Sequence, residues 1–110
     1  MIRLANTEPK FAPGELVRHL RYGYRGVVVA ADRRCEASNE WYSRNRTQPD
    51  QQQPWYHVLV DESAGVTYVA ESNLEADSVG AEITHPLLDD FFEGYSGDGY
   101  LRNDRPWHGW

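Results

Sequence analysis

The chain has 110 residues, 40% of them hydrophobic and 13% aromatic, a length at which one domain buries roughly two-thirds of its unfolded surface without covalent staples. No apolar run approaches the ~20 residues that span a bilayer, the amino terminus has no sustained apolar stretch for export, and the single cysteine, Cys35, has no internal disulfide partner. These features predict one soluble domain over residues 1–110, a cytoplasmic location and no membrane partner. The net charge of −6 is unevenly spread: residues 1–58 hold nine Lys+Arg against six Asp+Glu (+3), and residues 59–110 hold two against eleven (−9). Overall charge opposes nucleic acid, so any such contact needs a local basic patch.

In chain order, Phe11-Ala12-Pro13-Gly14 closes a polar leader with a turn, and Glu15 to Leu20 reads as a first short strand. Tyr22-Gly23-Tyr24-Arg25-Gly26 places two glycines where a backbone reversal requires positive φ, and the β-branched run Val27 to Ala31 completes a hairpin. From Asp32 to Pro54 the apolar rhythm fails in a long surface insertion, Gln-rich at its end, with Trp41 and Tyr42 on a short helix or turn that packs over one end of the sheet. Trp55 to Asp61 resumes the alternation, with Tyr56, Val58 and Val60 as the core face and Trp55, His57 and Leu59 opposite. Val66 to Ala70 returns, and Glu71 to Glu75 turns into a fifth strand-like segment. The expected fold is mainly β, a small, partly open barrel of about five strands. The tail is expected to be a helical appendage. Thr84-His85-Pro86 reads as its start, Leu87, Leu88, Phe91 and Phe92 as its docking stripe, and Gly94 to Tyr100 as its stop. Trp107 and Trp110 either pack back or are offered to a partner.

Ten of the eleven basic residues are arginine, whose planar fork suits phosphate or carboxylate. Arg18, Arg21, Arg25, Arg33 and Arg34 cluster around the first hairpin and are the candidate DNA contacts, with Arg44 and Arg46 extending the patch; the alternative is that they form solvated faces or pair with the acids of the back half. Tyr22, Tyr24 and Trp55, with Trp107 and Trp110, are the candidate contacts to a protein partner. Tyr56 and Tyr68 read as core, Tyr22 and Tyr24 as exposed. His19, His57, His85 and His108 are dispersed, so no metal site is expected. Cys35 follows two arginines but has no oriented base beside it in sequence. Asp89, Asp90 and Glu93 read as a solvated face. With no phosphate loop or dinucleotide fingerprint, neither catalysis nor a cofactor is expected.

Val17-Arg18-His19, Gly23 to Val29, Pro54 to Val60 and Thr67 to Leu74, taken together, resemble the YccV-like family. This family includes the bacterial heat-shock protein HspQ and is also called the hemimethylated-DNA-binding domain. The resemblance covers residues 10–75, and residues 76–110, with His85-Pro86-Leu87-Leu88-Asp89-Asp90-Phe91-Phe92, Tyr100 and Asn103, are similar to the extension that follows this domain in certain eukaryotic F-box proteins. It implies an SH3-like β-barrel and two competing activities: binding of hemimethylated double-stranded DNA, and modulation of proteolysis in the stress response, where HspQ-like proteins act with the Lon protease. The expected function is a non-enzymatic module that recognises a protein partner, such as a protease or its substrate, with DNA binding as the alternative. The acidic tail, aromatic terminus and Gln-rich insertion depart from the short bacterial members.

Overall fold

The computed structural model describes residues 8–109. Five antiparallel strands form one sheet: β1 (Leu16–His19), β2 (Arg25–Asp32), β3 (Trp55–Val60), β4 (Val66–Ala70) and β5 (Leu74–Ala76), in the order β4-β3-β2-β1-β5. The helix α1 (Asn39–Arg44) lies in the insertion, and a single 3-10 turn (Glu71–Asn73) joins β4 to β5. The mainly-β expectation and the five strand segments expected between residues 15 and 75 are borne out.

The tail departs from expectation. Its helix α2 (Leu88–Phe91) is a single turn, and the chain passes directly into a second sheet, the hairpin β6 (Phe92–Tyr95) and β7 (Tyr100–Arg102). Phe92 leaves the helix with φ −131° and ψ 144°, and Gly97 at φ +104° closes the hairpin turn, a conformation that glycine alone adopts without cost. The stripe at 87, 88, 91 and 92 therefore reflects two elements that meet one core rather than one helical face.

That core has two halves, one on each side of the sheet. Phe11, Val17, Val28, Tyr56, Val58, Val69 and Leu74 pack on one side. Leu16, Val27, Val29 and Leu59 meet Ile83 and Phe92 of the tail on the other. The face carrying Leu59, expected to be the less buried, is thus covered as completely as the Tyr56 face, and Val60 is the strand residue left half-exposed. A register shift between Val28 and Ala30 against β3 marks a bulge, which helps Val27, Val28 and Val29 all become fully buried. Of the two hairpin glycines, Gly23 has φ +74° as expected. Gly26 does not: there a Cβ would lie 2.5 Å from both the Leu59 carbonyl oxygen and Val58 Cγ1, so the constraint is close strand approach.

Candidate binding cleft

The sheet ends at β4, whose side away from β3 pairs with no strand among the described residues. A cleft of about 480 Å³ wraps around this edge. Val66, Tyr68 and Ala70 line it from one face of β4, and Thr67 and Val69 line it from the other. Val69 and Ala70 are 5% and 1% exposed, so the accessible stretch of the strand is Val66 to Tyr68.

One wall is aromatic and is built by the insertion. Ser38 Oγ caps α1 by accepting the Trp41 N–H at 3.1 Å, and the Tyr42 hydroxyl donates to the carbonyls of Gln48 and Pro49 at 2.9 and 2.8 Å. The Trp55 indole N–H donates to the Asp50 carbonyl at 3.3 Å. These bonds hold the polar segment onto the sheet and seat Trp41 with its ring centroid 6.0 Å from Trp55 and 5.6 Å from Tyr68, both edge-on. The expected packing of a short helix over the sheet is therefore observed.

The opposite wall is the β1–β2 tip. His19, buried, accepts the N–H groups of Arg21 and Tyr22 on Nδ1 at 3.1 and 3.0 Å, which orders the turn and lets the Tyr22 ring stack on the imidazole at 4.7 Å. Tyr22 remains 53% exposed, and Leu20 beside it 55%. The Tyr24 hydroxyl shares a 2.7 Å hydrogen bond with Thr67 Oγ1. Burial first, and the nearby Arg21 charge second, disfavour the imidazolium and hold the His19 pKa below its ordinary value.

A polar network underlies the cleft. The Tyr68 hydroxyl donates to Asp32 Oδ2 at 2.6 Å, accepts the Glu36 N–H at 3.0 Å, and His57 Nε2 lies 3.5 Å from the same carboxylate. Burial lowers the His57 pKa against the pull of Asp32. Burial, reinforced by the Asp32 bond, raises that of Tyr68. Histidines apart, Arg46 is the one formally charged side chain in the lining among the described residues.

The structure divides the candidate residues. Tyr22 and Tyr24 line the cleft and Trp55 forms its floor, only 2% exposed. Trp107 packs back, its ring 5.1 Å from Phe91 and 5.7 Å from His57, while Gly109 reaches the lining; Trp110 lies outside the described residues. The five arginines are not brought into one patch. Arg18 and Arg25 face each other at the start of β2, whereas Arg33 and Arg34 follow its last residue, about 25 Å away at ~3.3 Å per residue. Arg25 donates to Asp77 Oδ2 at 2.9 Å and to the Ala81 carbonyl, and sits 3.4 Å from Asp61 Oδ2; it is a structural clip. Arg33 pairs with Glu8 at 3.6 Å on the surface. Among the lining residues His19 was missed, whereas Trp41 was expected over the sheet, Tyr68 as a core residue and Arg46 in the basic patch. For Tyr68 the alternation carried a signal, since it shares a face with His57 and Trp55. Burial raises the Cys35 pKa, so the thiol is protonated rather than activated.

The fold and the cleft together define a small mainly-β binding module. The chain belongs to the YccV-like family: the family described as "Hemimethylated DNA-binding protein YccV like" matches residues 9–99. It is similar to F-box only protein 21 of Homo sapiens and of Mus musculus, each 31% identical over 96 residues, which is 84% of this chain and 15% of the relative. The chain thus spans a small part of the length of the curated relatives it matches. Among the described residues no helix is long and apolar enough to cross a membrane.

Proposed function

We propose that the module is a non-enzymatic recognition domain that binds a protein partner in regulated proteolysis or the stress response within the cytoplasm, an adaptor or modulator role of the HspQ type. The strand order, in which β5 returns through a 3-10 turn to pair with β1, supports the SH3-like reading of the sheet. The observation that carries the proposal is the aromatic cleft: Trp41, Trp55, Tyr68, Tyr22 and Tyr24 come from separate segments and converge on one sheet edge. Tyrosine and tryptophan supply rigid, amphipathic contact area of the kind that recognises polypeptide. The F-box relatives, named for an adaptor of protein degradation, are consistent with such a partner.

DNA binding is the second reading, supported by the family's description and by Arg18, Arg21 and Arg34, which are exposed. The two separate in one experiment. Fluorescence anisotropy is recorded with unmethylated, hemimethylated and fully methylated duplexes at low and physiological salt, for the parent chain and for Arg18→Glu/Arg21→Glu and Tyr22→Ala variants. The protein-partner reading expects duplex binding no tighter than micromolar at physiological salt and indifferent to methylation. Tight binding that prefers the hemimethylated duplex, is lost in the arginine variant and survives Tyr22→Ala would overturn it.

A further inference from the structure

The β1–β2 tip is held rigid from within. The His19 N–H donates to the Tyr24 carbonyl at 2.9 Å, the Gly23 N–H to the His19 carbonyl at 2.8 Å and the Leu20 N–H to the Asn73 carbonyl at 2.9 Å. Inside this turn His19 Nδ1 accepts the N–H groups of Arg21 and Tyr22. A ring nitrogen that accepts carries no proton, so the imidazole is neutral and its hydrogen sits on Nε2. Among the described residues no acceptor meets that hydrogen. The unpartnered side-chain atoms sealed from solvent among those residues are Asp77 Oδ1 and Trp107 Nε1. His19 Nε2 is not one of them, so it opens on the cleft that the ring lines. A side chain only 5% exposed thus presents one polar hydrogen to the cleft, and a donor so placed is satisfied in a native protein by water or by a ligand.

The surroundings select the acceptor. The Arg21 guanidinium carbon lies 5.8 Å from the centroid of the Tyr22 ring, and that ring stacks on the imidazole at 4.7 Å. Cation, aromatic plane and donor therefore belong to one turn. Arg21 is exposed and forms no ion pair among the described residues. A fixed cation beside a largely buried N–H favours an anionic oxygen, because charge-assisted hydrogen bonds are the stronger ones. Leu20 and Tyr22, both more than half exposed, favour an apolar side chain next to that oxygen. An acidic residue with an apolar neighbour offers both, whereas a phosphodiester backbone offers only the first.

We infer that the β1–β2 tip captures an acidic segment of a partner protein, with an Asp or Glu carboxylate accepting the His19 Nε2–H beside Arg21 and an adjoining apolar side chain packed on Leu20 and Tyr22. The inference rests on the protein-partner reading and deepens it by naming the group that is recognised.

The test pans a phage library of random peptides against the chain and measures Kd for the synthetic enriched peptides. Enriched sequences should carry Asp or Glu beside an aromatic or branched apolar residue, and exchanging that acid for Asn or Gln should weaken binding roughly tenfold or more. Panning against Arg21→Glu should lose the acid. His19→Asn keeps an oxygen where Nδ1 accepts the turn N–H groups and removes the Nε2–H; it should weaken the acidic peptides roughly tenfold and their amide forms less. Heteronuclear NMR of the unaltered chain decides the matter even if a variant fails to fold: the His19 ring should show the Nε2–H tautomer, and its Nε2 signal should move when peptide binds. An Nδ1–H tautomer, an unmoved signal with peptide bound, or enriched peptides without an acid would overturn the carboxylate site and leave the protein-partner reading standing. No peptide above background would also overturn the site, and tight binding of a hemimethylated duplex beside that result would overturn the protein-partner reading with it.

Discussion

Arg25→Ala should destabilise the fold rather than weaken binding. The guanidinium joins the start of β2 to the segment that leads into the tail: Nε donates to Asp77 Oδ2, another nitrogen to the Ala81 carbonyl, and the third faces Asp61. Asp61 in turn accepts the Thr84 N–H at 2.7 Å, next to the buried Ile83. The Asp77 side chain is only 1% exposed. Truncation leaves its Oδ2 with the Gly80 N–H at 3.0 Å. Hydrogen bonds to charged groups contribute about 1.5–3 kcal/mol, and stranding a buried carboxylate costs more; Arg25 itself is one-fifth exposed, so water replaces part of the loss. A net cost of about 2–3 kcal/mol follows, which for a chain of this length lowers Tm by roughly 8–15 °C. Burial works to raise the Asp77 pKa, but the Gly80 N–H and Arg25 outweigh it and hold it below 3.8. That contribution is present above the ordinary carboxyl pKa and lost as pH falls through the native one, so the variant should show a shallower loss of stability below about pH 4. Thermal melts at pH 7 and across the acid range measure both effects. A Tm within about 2 °C of the parent, or lost duplex affinity at unchanged Tm, would refute the structural assignment.

Tyr56→Phe removes a buried hydroxyl that donates to Glu71 at 2.6 Å and accepts the Phe11 N–H at 3.1 Å; urea denaturation should show a loss of about 2–3 kcal/mol with little change in m. Gly26→Ala places a methyl against Leu59 and Val58 and should cost at least ~2 kcal/mol, whereas Gly94→Ala, where a Cβ meets nothing within 4 Å, should stay within about 1 kcal/mol in the same assay. His19 and His57 both have native pKa values below 6.5, so the unfolded chain binds more protons and Tm should fall as pH drops from about 7 to 5. A flat profile across that range would remove the assigned burial of both rings. Tyr22→Ala, at an exposed tip, should shift Tm by no more than a few degrees in thermal melts.

What the sequence made legible was local. The Val27 to Ala31 run, the Trp55 to Asp61 alternation and the Pro-Gly turn specify strands by period and punctuation, and each appears within a residue or two of its expected place. The tail misled because Leu87, Leu88, Phe91 and Phe92 satisfy a helical spacing, while the decisive information, that Phe92 must reach Leu59 and Val27 across the sheet, is tertiary. Tyr95-Ser96-Gly97-Asp98-Gly99-Tyr100 held the missed signal, a glycine turn between two short hydrophobic runs. The arginines illustrate the same limit. Arg25 finds Asp61 and Asp77 at separations of 36 and 52 residues, invisible to any window, so a basic cluster in sequence became a clip and two separated ends. Tyr22 was legible as an exposed cleft residue because a glycine turn exposes what it carries, whereas Tyr24, also expected to be exposed, is half-buried because it packs against the core beside Thr67.

The covering of the second sheet face has a further consequence. Leu16, Val27, Val29 and Leu59 owe their dryness to Ile83 and Phe92, and Gly14 is held by the hairpin through the 2.8 Å bond from the Tyr100 N–H to its carbonyl. A chain still emerging from the ribosome with residues up to 76 would have every strand of the larger sheet and yet display one greasy face, a surface that quality-control factors recognise. The tail closes that interval, so a defect in Phe92 or in the Gly97 turn should surface in the cell as turnover of an otherwise complete sheet.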